Sequence, residues 1–316
     1  MPKTSPVRVA IATHGCKLNQ AESETMGRQF AEAGYSLVAA DQPADIYILN
    51  TCTVTHVADG KARRWLRAAY RRNPEATVVA TGCYAERDAE GLAWVEGVGL
   101  VVGNRNKGRL LELVQGLGVR EKYGSLPAAN GGGPSLGSAY PSRTRAFVKI
   151  QDGCNQFCTF CIAPFTRDRE ANVPINDVID QVRARVREGY KEIVITGPQI
   201  GSYGLYPPNS ETRRDPDDYD GRLHGLVERI LGETGVPRLR ISSIQPQDLT
   251  ARLLDAWQDQ RLCRHVHMAL QSGSDAVLGR MRRRYSTAQY RRAIERLRGV
   301  VTGLAMTTDV MVGFPG

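Results

Sequence analysis

Residues 149–161 read Lys149-Ile150-Gln151-Asp152-Gly153-Cys154-Asn155-Gln156-Phe157-Cys158-Thr159-Phe160-Cys161. It holds three cysteines, separated by three and then by two residues. A cubane iron–sulfur cluster normally takes four cysteines, so three leave one iron open to a reactant. The spacing favours such an open cluster over structural zinc, which usually needs a second cysteine pair or histidines. It also disfavours a disulfide on geometric grounds, and the chain has an odd number of cysteines, seven.

Residues 144–316 alternate apolar strands with helical patterns, and Cys154 comes just after the first of these strands. Such repetition with right-handed crossovers curls into a TIM-like barrel, whose active-site residues lie at the carboxyl ends of the strands. The predicted strands are 146–150, 192–196, 239–242, 265–270 and 304–312. The predicted helices are 175–188, 223–231, 248–259, 275–281 and 287–298. Because the sequence stops just after the fifth strand, we expect a partial barrel that is incomplete at the C-terminus.

Three further cysteines, Cys16, Cys52 and Cys83, share one local setting. Each follows a short apolar run and precedes a helical pattern, which is typical of buried parallel strands. The turns after parallel strands all lie on the carboxyl edge of an open sheet, where ligands bind. The setting therefore predicts that the three thiols converge on a second cluster with an open iron. The alternative is three small, half-buried loop cysteines.

The segment that carries these cysteines, residues 6–117, is predicted to be an open parallel α/β sheet. Its predicted strands are 7–12, 46–49, 77–80 and 98–102, and its predicted helices are 19–33, 56–72, 86–94 and 107–115. Residues 118–143 are predicted to be a linker, because the stretch 126–134 is too poor in apolar residues to pack.

With both cysteine groups in view, the chain resembles the methylthiotransferases, a branch of the radical S-adenosylmethionine (SAM) enzymes that replaces a C–H bond with C–S–CH3. The resemblance covers nearly the whole chain. It rests on His14-Gly15-Cys16-Lys17-Leu18-Asn19-Gln20, Asn50-Thr51-Cys52-Thr53-Val54-Thr55, Thr81-Gly82-Cys83, the Cys154 stretch with Phe160, and the segments 196–204, 270–274 and 308–316. The motifs around Cys16 and Cys52, followed by Ala58-Asp59 and Lys61, are most similar to the threonylcarbamoyladenosine tRNA branch. The isopentenyladenosine tRNA branch and the ribosomal-protein branch usually read differently there.

The resemblance implies two [4Fe-4S] clusters and SAM as cofactors. One cluster is held by Cys154, Cys158 and Cys161, and its open iron binds the methionine part of SAM. Reductive cleavage of SAM then gives a radical that abstracts hydrogen from the adenine ring. The other cluster is held by Cys16, Cys52 and Cys83. It accepts a methyl group on sulfur from a second SAM and delivers the methylthio group.

The resemblance also implies tRNA as a partner and an electron donor such as flavodoxin or ferredoxin, and we expect a monomer. The family's usual sixth barrel strand and its C-terminal RNA-binding domain are missing from the sequence. We therefore expect a C-terminally truncated family member with three parts: an N-terminal methylthiotransferase domain (6–117), a linker (118–143) and a truncated radical SAM domain (144–316).

Candidate SAM contacts follow the predicted barrel strands. Gly197 and Gly201 follow the second strand and would let the backbone approach SAM, or they form a tight turn. Ser242 and Ser243 follow the third strand and Gln271 follows the fourth. These are candidate hydrogen-bond donors, or caps of the strand ends. The family often has a Ser-Arg pair near Glu170, where this sequence has Ala171 and Asn172. This departure leaves the details of SAM binding open.

The formal net charge of +9 suggests an anionic partner such as RNA. Residues 61–72 contain six Lys or Arg and no acidic residue, with Trp65 and Tyr70 interleaved, and further arginines occur at 280–284 and 291–298. We predict that Arg63, Arg64 and Arg67 contact RNA phosphates, with a solvated helix face as the alternative.

Other functions fit the sequence less well. The same chemistry on a ribosomal-protein side chain is disfavoured by the basic stretches. A two-cluster electron carrier would be expected to have closed, four-cysteine sites. The sequence has no apolar signal core and no stretch of about 20 apolar residues. We expect a cytoplasmic enzyme without a membrane span, in a compartment that suits reduced cysteines.

Overall fold

The computed structural model describes residues 6–118, 144–205 and 222–315. The chain divides into two compact units. Unit 1 comprises Met1–Arg143 with Phe165–Arg167, and unit 2 comprises Thr144–Pro164 with Asp168–Gly316. The predicted linker at 118–143 lies, apart from its first residue, outside the described residues.

Unit 1 is built on a five-stranded parallel sheet with the strand order β2-β1-β3-β4-β5. The strands are β1 (Arg8–Thr13), β2 (Ser36–Val38), β3 (Ile46–Thr51), β4 (Thr77–Gly82) and β5 (Val98–Val102). The helices are α1 (Lys17–Glu32), α2 (His56–Arg72), α3 (Cys83–Arg87), α4 (Ala89–Ala93) and α5 (Leu110–Gln115), with a 3-10 turn at Asn104–Arg109.

The central strand β3 is buried at all six positions, as expected for a parallel strand that helices cover on both faces. Its side chains alternate between two cores. Tyr47 and Leu49 pack with Leu66 of α2 on one face, while Ile46 and Ile48 pack with Phe30 of α1 on the other. The predicted open parallel sheet is confirmed.

The strand order reverses direction between β1 and β3, which makes this edge the topological switch point where open α/β sheets bind ligands. The sequence prediction lacked β2. This strand has three residues, all half-buried, at the sheet edge next to β1, so it carries too short a pattern to detect.

Unit 2 contains two three-stranded parallel sheets with the orders β10-β9-β6 and β11-β12-β13, and a short antiparallel pair, β7-β8. The strands are β6 (Arg145–Lys149), β7 (Gln151–Asp152), β8 (Ala171–Asn172), β9 (Glu192–Thr196), β10 (Leu239–Ile241), β11 (Ser243–Ile244), β12 (His265–Met268) and β13 (Ala305–Thr307). The helices are α6 (Ala163–Thr166), α7 (Ile175–Arg187), α8 (Leu223–Glu233), α9 (Ala251–Asp255), α10 (Asp275–Arg280) and α11 (Thr287–Val300), with 3-10 turns at Ile200–Ser202, Pro246–Asp248 and Ala256–Gln258.

The two parallel sheets follow each other in chain order, and one core joins strands such as β9 to helices α7, α8 and α11. This arrangement is the predicted partial barrel. Two predicted elements are shorter than expected. The predicted helix 248–259 is only α9 between two 3-10 turns, because Thr250 caps a new helix by accepting from the Leu253 N–H. The predicted strand 304–312 is a strand only at Ala305–Thr307, and an isolated bridge between Gln271 and Val310 follows it.

Candidate functional site

The three N-terminal cysteines lie at the carboxyl ends of three neighbouring strands of unit 1. Cys16 is the N-cap of α1 after β1, Cys52 follows β3 directly, and Cys83 is the first residue of α3 after β4. Since β1, β3 and β4 are adjacent, the fold brings the three turns together at the switch point.

Two observations show how close these cysteines are. A Cβ added at Gly15 would lie 2.9 Å from the Cβ of Cys52, so the loop that carries Cys16 packs on Cys52. Burial raises the pKa of the Cys52 thiol, backbone N–H groups oppose this effect, and the nearby thiols of Cys83 and Cys16 raise the pKa further. The arrangement forms a pocket of three thiols.

Asparagine side chains surround this pocket. The Cys16 thiol lies 3.5 Å from Asn19 Oδ1, and Asn104 Nδ2 lies 3.5 Å from Cys83 Sγ. Asn19 Nδ2 also donates to the Thr51 carbonyl, which ties α1 to the end of β3. Neither asparagine was predicted to be a site residue. Asn104 follows β5, so the rule that located the cysteines at strand ends would also have located it.

A buried charge network supports the pocket inside unit 1. Lys107 Nζ lies 2.7 Å from Glu22 Oε2 and 3.2 Å from Asn50 Oδ1. Arg167 donates to Glu22 Oε1 at 2.9 Å and to Asn19 Oδ1 at 2.6 Å. One carboxylate therefore compensates two buried cations, and Asn19 connects this network to Cys16.

The second cysteine group occupies a loop of unit 2 that β7 and β8 close at its base. Cys158 is buried, Cys154 and Cys161 are half-buried, and the Cys161 N–H donates to the Cys158 carbonyl at 2.9 Å. Burial raises the pKa of the Cys154 thiol to about 11, with smaller contributions from Glu170 and the other two thiols. A thiolate here needs a positive partner, as iron provides.

Glutamines and carboxylates form a connected network after the carboxyl ends of β9 and β11. Gln245 Nε2 donates to Gln199 Oε1 at 2.5 Å and to Gln156 Oε1 at 3.1 Å, so it reaches the cysteine loop. Asp248 accepts from the Gln245 N–H at 2.7 Å and from Gln199 Nε2 at 3.3 Å. The sequence analysis did not single out these residues.

Burial favours the neutral form of two carboxyl groups in this region, Asp248 and Glu170. Burial raises the pKa of Asp248 to about 6, although backbone and side-chain N–H donors oppose the shift. Burial also raises the pKa of Glu170 to about 7, against the attraction of Arg284. The network therefore combines amide groups with carboxyls that titrate near neutral pH.

A second hydrogen-bonded set lies on the strands of the other sheet. Ser243 Oγ is 2.8 Å from His267 Nδ1, and His267 Nε2 is 3.4 Å from Asp309 Oδ2. His265, two residues earlier on β12, is 3.1 Å from Thr307 Oγ1. Both histidines thus contact side chains of neighbouring strands or of the chain beyond them. Cys263 is buried near Glu192.

The donor set in each cysteine group fits an iron–sulfur cluster. Each group offers three thiols and no imidazole ligand, which suits iron held by sulfur. Within the described residues, no three His, Cys, Asp or Glu side chains are arranged to hold a single metal ion. A cubane does not require such an arrangement, because each cysteine binds a different iron.

Comparison with known proteins agrees with this geometry. A family model described as Radical SAM superfamily matches residues 148–316, and one described as Uncharacterized protein family UPF0004 matches residues 8–103. The chain is 37% identical to the threonylcarbamoyladenosine tRNA methylthiotransferase MtaB of Bacillus subtilis over 98% of this chain and 67% of that protein. It is 34% identical to the tRNA-2-methylthio-N(6)-dimethylallyladenosine synthase of Anaeromyxobacter dehalogenans over all of this chain and 66% of that protein. The chain belongs to the radical SAM methylthiotransferases.

Membership of this family makes the chain an enzyme that transfers a sulfur-containing group and implies a [4Fe-4S] cluster and SAM. The chain spans about two thirds of the length of these two relatives. Among solved structures, the radical SAM methyltransferase TsrM of Kitasatospora setae aligns with a TM-score of 0.63 at 15% identity, over 99% of this chain and 70% of that one. This likeness supports the fold.

The SAM contacts predicted for this methylthiotransferase remain predictions. The structure shows which groups lie around the residues concerned. A Cβ at Gly197 would lie 2.7 Å from the Gln151 carbonyl oxygen, and one at Gly201 would overlap the Asp248 carboxylate, so both glycines allow close packing. Ser242 is buried, and its Oγ has no hydrogen-bond partner among residues 6–118, 144–205 and 222–315. Gln271 has a positive φ of 65°, and its backbone pairs with the chain beyond β13.

The three arginines predicted to contact RNA differ in their surroundings. Arg64 and Arg67 are exposed, whereas Arg63 is half-buried and donates to the Tyr84 hydroxyl. A shallow groove on α2 is lined by Val57, Gly60, Arg63, Arg64 and Arg67. In the described part of the chain, no helix is both long and apolar enough to cross a membrane.

Proposed function

We propose that this chain adds a methylthio group to threonylcarbamoyladenosine next to the anticodon of tRNA, using SAM and two [4Fe-4S] clusters. The observation that carries the proposal is the pair of three-thiol groups, one at the carboxyl ends of three parallel strands of unit 1 and one in the loop between β7 and β8 of unit 2. The similarity to a relative that bears the name of this activity supports the substrate assignment.

We assign the two cysteine groups different tasks. Cys154, Cys158 and Cys161 would hold the cluster that supplies one electron for SAM cleavage. Cys16, Cys52 and Cys83 would hold the cluster that carries the methylthio group. The chain positions these ligands on strand ends and limits water, since Cys83 and Cys158 are buried.

The proposed tRNA contact is the exposed Arg64 and Arg67 edge of the α2 groove. Guanidinium groups suit phosphate oxygens and hold a backbone without reading its sequence. We further propose a flavodoxin-like or ferredoxin-like electron donor, a monomeric enzyme and a cytoplasmic location, where tRNA is modified.

One observation supports a second substrate. The similarity to a dimethylallyladenosine synthase covers the whole chain at 34% identity, close to the 37% of the first relative. The alternative substrate is therefore an isopentenyl-type adenosine in tRNA, modified by the same chemistry.

Mass spectrometry of tRNA nucleosides tests the proposal. A strain that lacks this gene should accumulate threonylcarbamoyladenosine without the methylthio group, and the wild-type gene should restore the group. A Cys52→Ala gene should not restore it, whereas the control Cys263→Ala gene should, because Cys263 lies in neither cysteine group. Restoration of methylthio-isopentenyladenosine instead would favour the second substrate. Restoration by the Cys52→Ala gene would refute the role of the N-terminal group.

A further inference from the structure

The loop that carries Cys154, Cys158 and Cys161 is held by the segment 280–285, which connects α10 to α11. Thr159 donates from its backbone N–H to the Met281 carbonyl at 3.2 Å and from Oγ1 to the Arg280 carbonyl at 3.0 Å. Arg284 Nη2 lies 3.4 Å from the Asn155 carbonyl oxygen. The run of arginines at 280–284, which the sequence analysis counted toward RNA binding, thus contains residues that contact the cysteine loop.

Within this segment, Arg283 approaches a cysteine sulfur directly. Its Nη1 lies 3.4 Å from the Sγ of Cys158, which is the buried member of the group. Sulfur is a large and weak acceptor, so this distance is compatible with an N–H···S hydrogen bond. The charge of the guanidinium is permanent, because arginine stays protonated in proteins.

The neighbouring tyrosine holds Arg283 in place. Arg283 Nε donates to the Tyr285 hydroxyl at 3.1 Å, and the guanidinium lies 4.9 Å from the centre of the Tyr285 ring. Tyr285 is buried, and its hydroxyl in turn contacts the carbonyls of Ala269 and Leu270. The guanidinium is therefore anchored through Tyr285 to the backbone beyond β12, and its Nη1 faces Cys158.

We propose that Arg283 is a positioning residue that raises the reduction potential of the cluster bound by Cys154, Cys158 and Cys161, through its N–H···S contact with Cys158. Reduction adds one electron from the donor to a cluster that three thiolates already make negative. A fixed positive charge and a hydrogen bond to a ligand sulfur stabilise the reduced form more than the oxidised form. This inference rests on the proposed cluster at these cysteines.

The test is a redox titration of reconstituted enzyme, followed by electron paramagnetic resonance. The signal of this cluster is recognised because added SAM changes it. In Arg283→Gln, we expect the equilibrium constant for one-electron reduction to fall about tenfold, which corresponds to a potential lower by about 59 mV. Arg283→Lys keeps the charge and should show a smaller decrease. The matched control is Arg282→Gln, which removes an exposed arginine of the same segment whose charge is screened by solvent, and it should leave the potential nearly unchanged.

The outcomes separate this inference from the proposed function. If the wild-type enzyme shows no signal that responds to SAM, the proposed cluster fails. If Arg283→Gln keeps four irons at this site and the wild-type potential, Arg283 is only structural and this inference is overturned. If Arg283→Gln loses iron at this site, the reduction potential of Arg283→Lys is the deciding measurement. A potential of Arg283→Lys below that of Arg282→Gln supports the inference, and an equal potential overturns it.

Discussion

The replacement Glu22→Gln tests the buried charge network that supports the N-terminal cysteines. The side chains of Glu22, Lys107 and Arg167 are only 5%, 8% and 4% exposed. Gln keeps the shape of Glu22 but removes the carboxylate charge that pairs with both Lys107 and Arg167. Removing one partner of a buried ion pair typically costs about 3–5 kcal/mol, because an uncompensated charge remains buried.

We therefore expect Glu22→Gln to lower the free energy of unfolding of unit 1 by about 4 kcal/mol. For a domain of this size, this change lowers Tm by roughly 15 °C. Differential scanning calorimetry on the full chain measures the shift. The matched control is Glu112→Gln, which breaks an exposed i,i+3 pair with Arg109 and should leave Tm nearly unchanged.

The coupling to the cysteine pocket gives a second readout. Asn19 contacts both Arg167 and the Cys16 thiol, so loosening the network should also lower iron binding at the N-terminal group. If Glu22→Gln and Glu112→Gln show the same Tm, the charges are not desolvated as the structure describes, and the reasoning is refuted.

Two further predictions concern RNA binding and pH. The variant with Arg64→Gln and Arg67→Gln should bind tRNA less tightly and reduce the slope of log K against log salt by up to about 1.4–1.8, in filter-binding or anisotropy titrations. The single variant Arg63→Gln should change the slope by less, because the Arg63 guanidinium contacts Tyr84. Equal slopes in the double variant and the wild type would mean that this face of α2 is only solvated and does not bind RNA. Because burial raises the pKa of Asp248 to about 6, the folded chain binds this proton more tightly than the unfolded chain, whose pKa is about 4. The contribution of Asp248 to stability should therefore be greatest below pH 4 and decline as the pH rises through 6, by on the order of 2 kcal/mol. Asp248→Asn should remove this decline in urea unfolding measured at pH 4 and pH 7, and an unchanged pH dependence would contradict the assignment.

The positions of the N-terminal cysteines were predictable from sequence because the relevant rule is local. An apolar run followed by a helical pattern marks the end of a parallel strand, and such ends share one edge of the sheet. Cys16, Cys52 and Cys83 each carry that mark, and the structure brings them together after β1, β3 and β4.

The surroundings of the cysteines were not predictable because they depend on distant partners. Lys107 pairs with Glu22 across 85 positions, and Arg283 reaches Cys158 across 125. Nothing local distinguishes Arg283 from its neighbours in an arginine run. Only the folded structure shows which arginines contact the cysteine loop and which face solvent.

Two misjudged helices have a common physical cause. The predicted helix 86–94 is split into α3 and α4 because the Asp88 side chain accepts from the Gly91 N–H and starts a new helix. Thr250 has the same effect within the predicted helix 248–259. Capping side chains compete with helix continuation, and the apolar pattern alone does not show which one prevails.

The formation of 5′-deoxyadenosine from SAM under reducing conditions tests whether the two cysteine groups hold clusters with separate tasks. Wild-type enzyme and Cys52→Ala should both form this product, whereas Cys158→Ala should form none. Product formation by Cys158→Ala, or its loss in Cys52→Ala while the iron of the other group remains bound, would show that the tasks are not divided in this way.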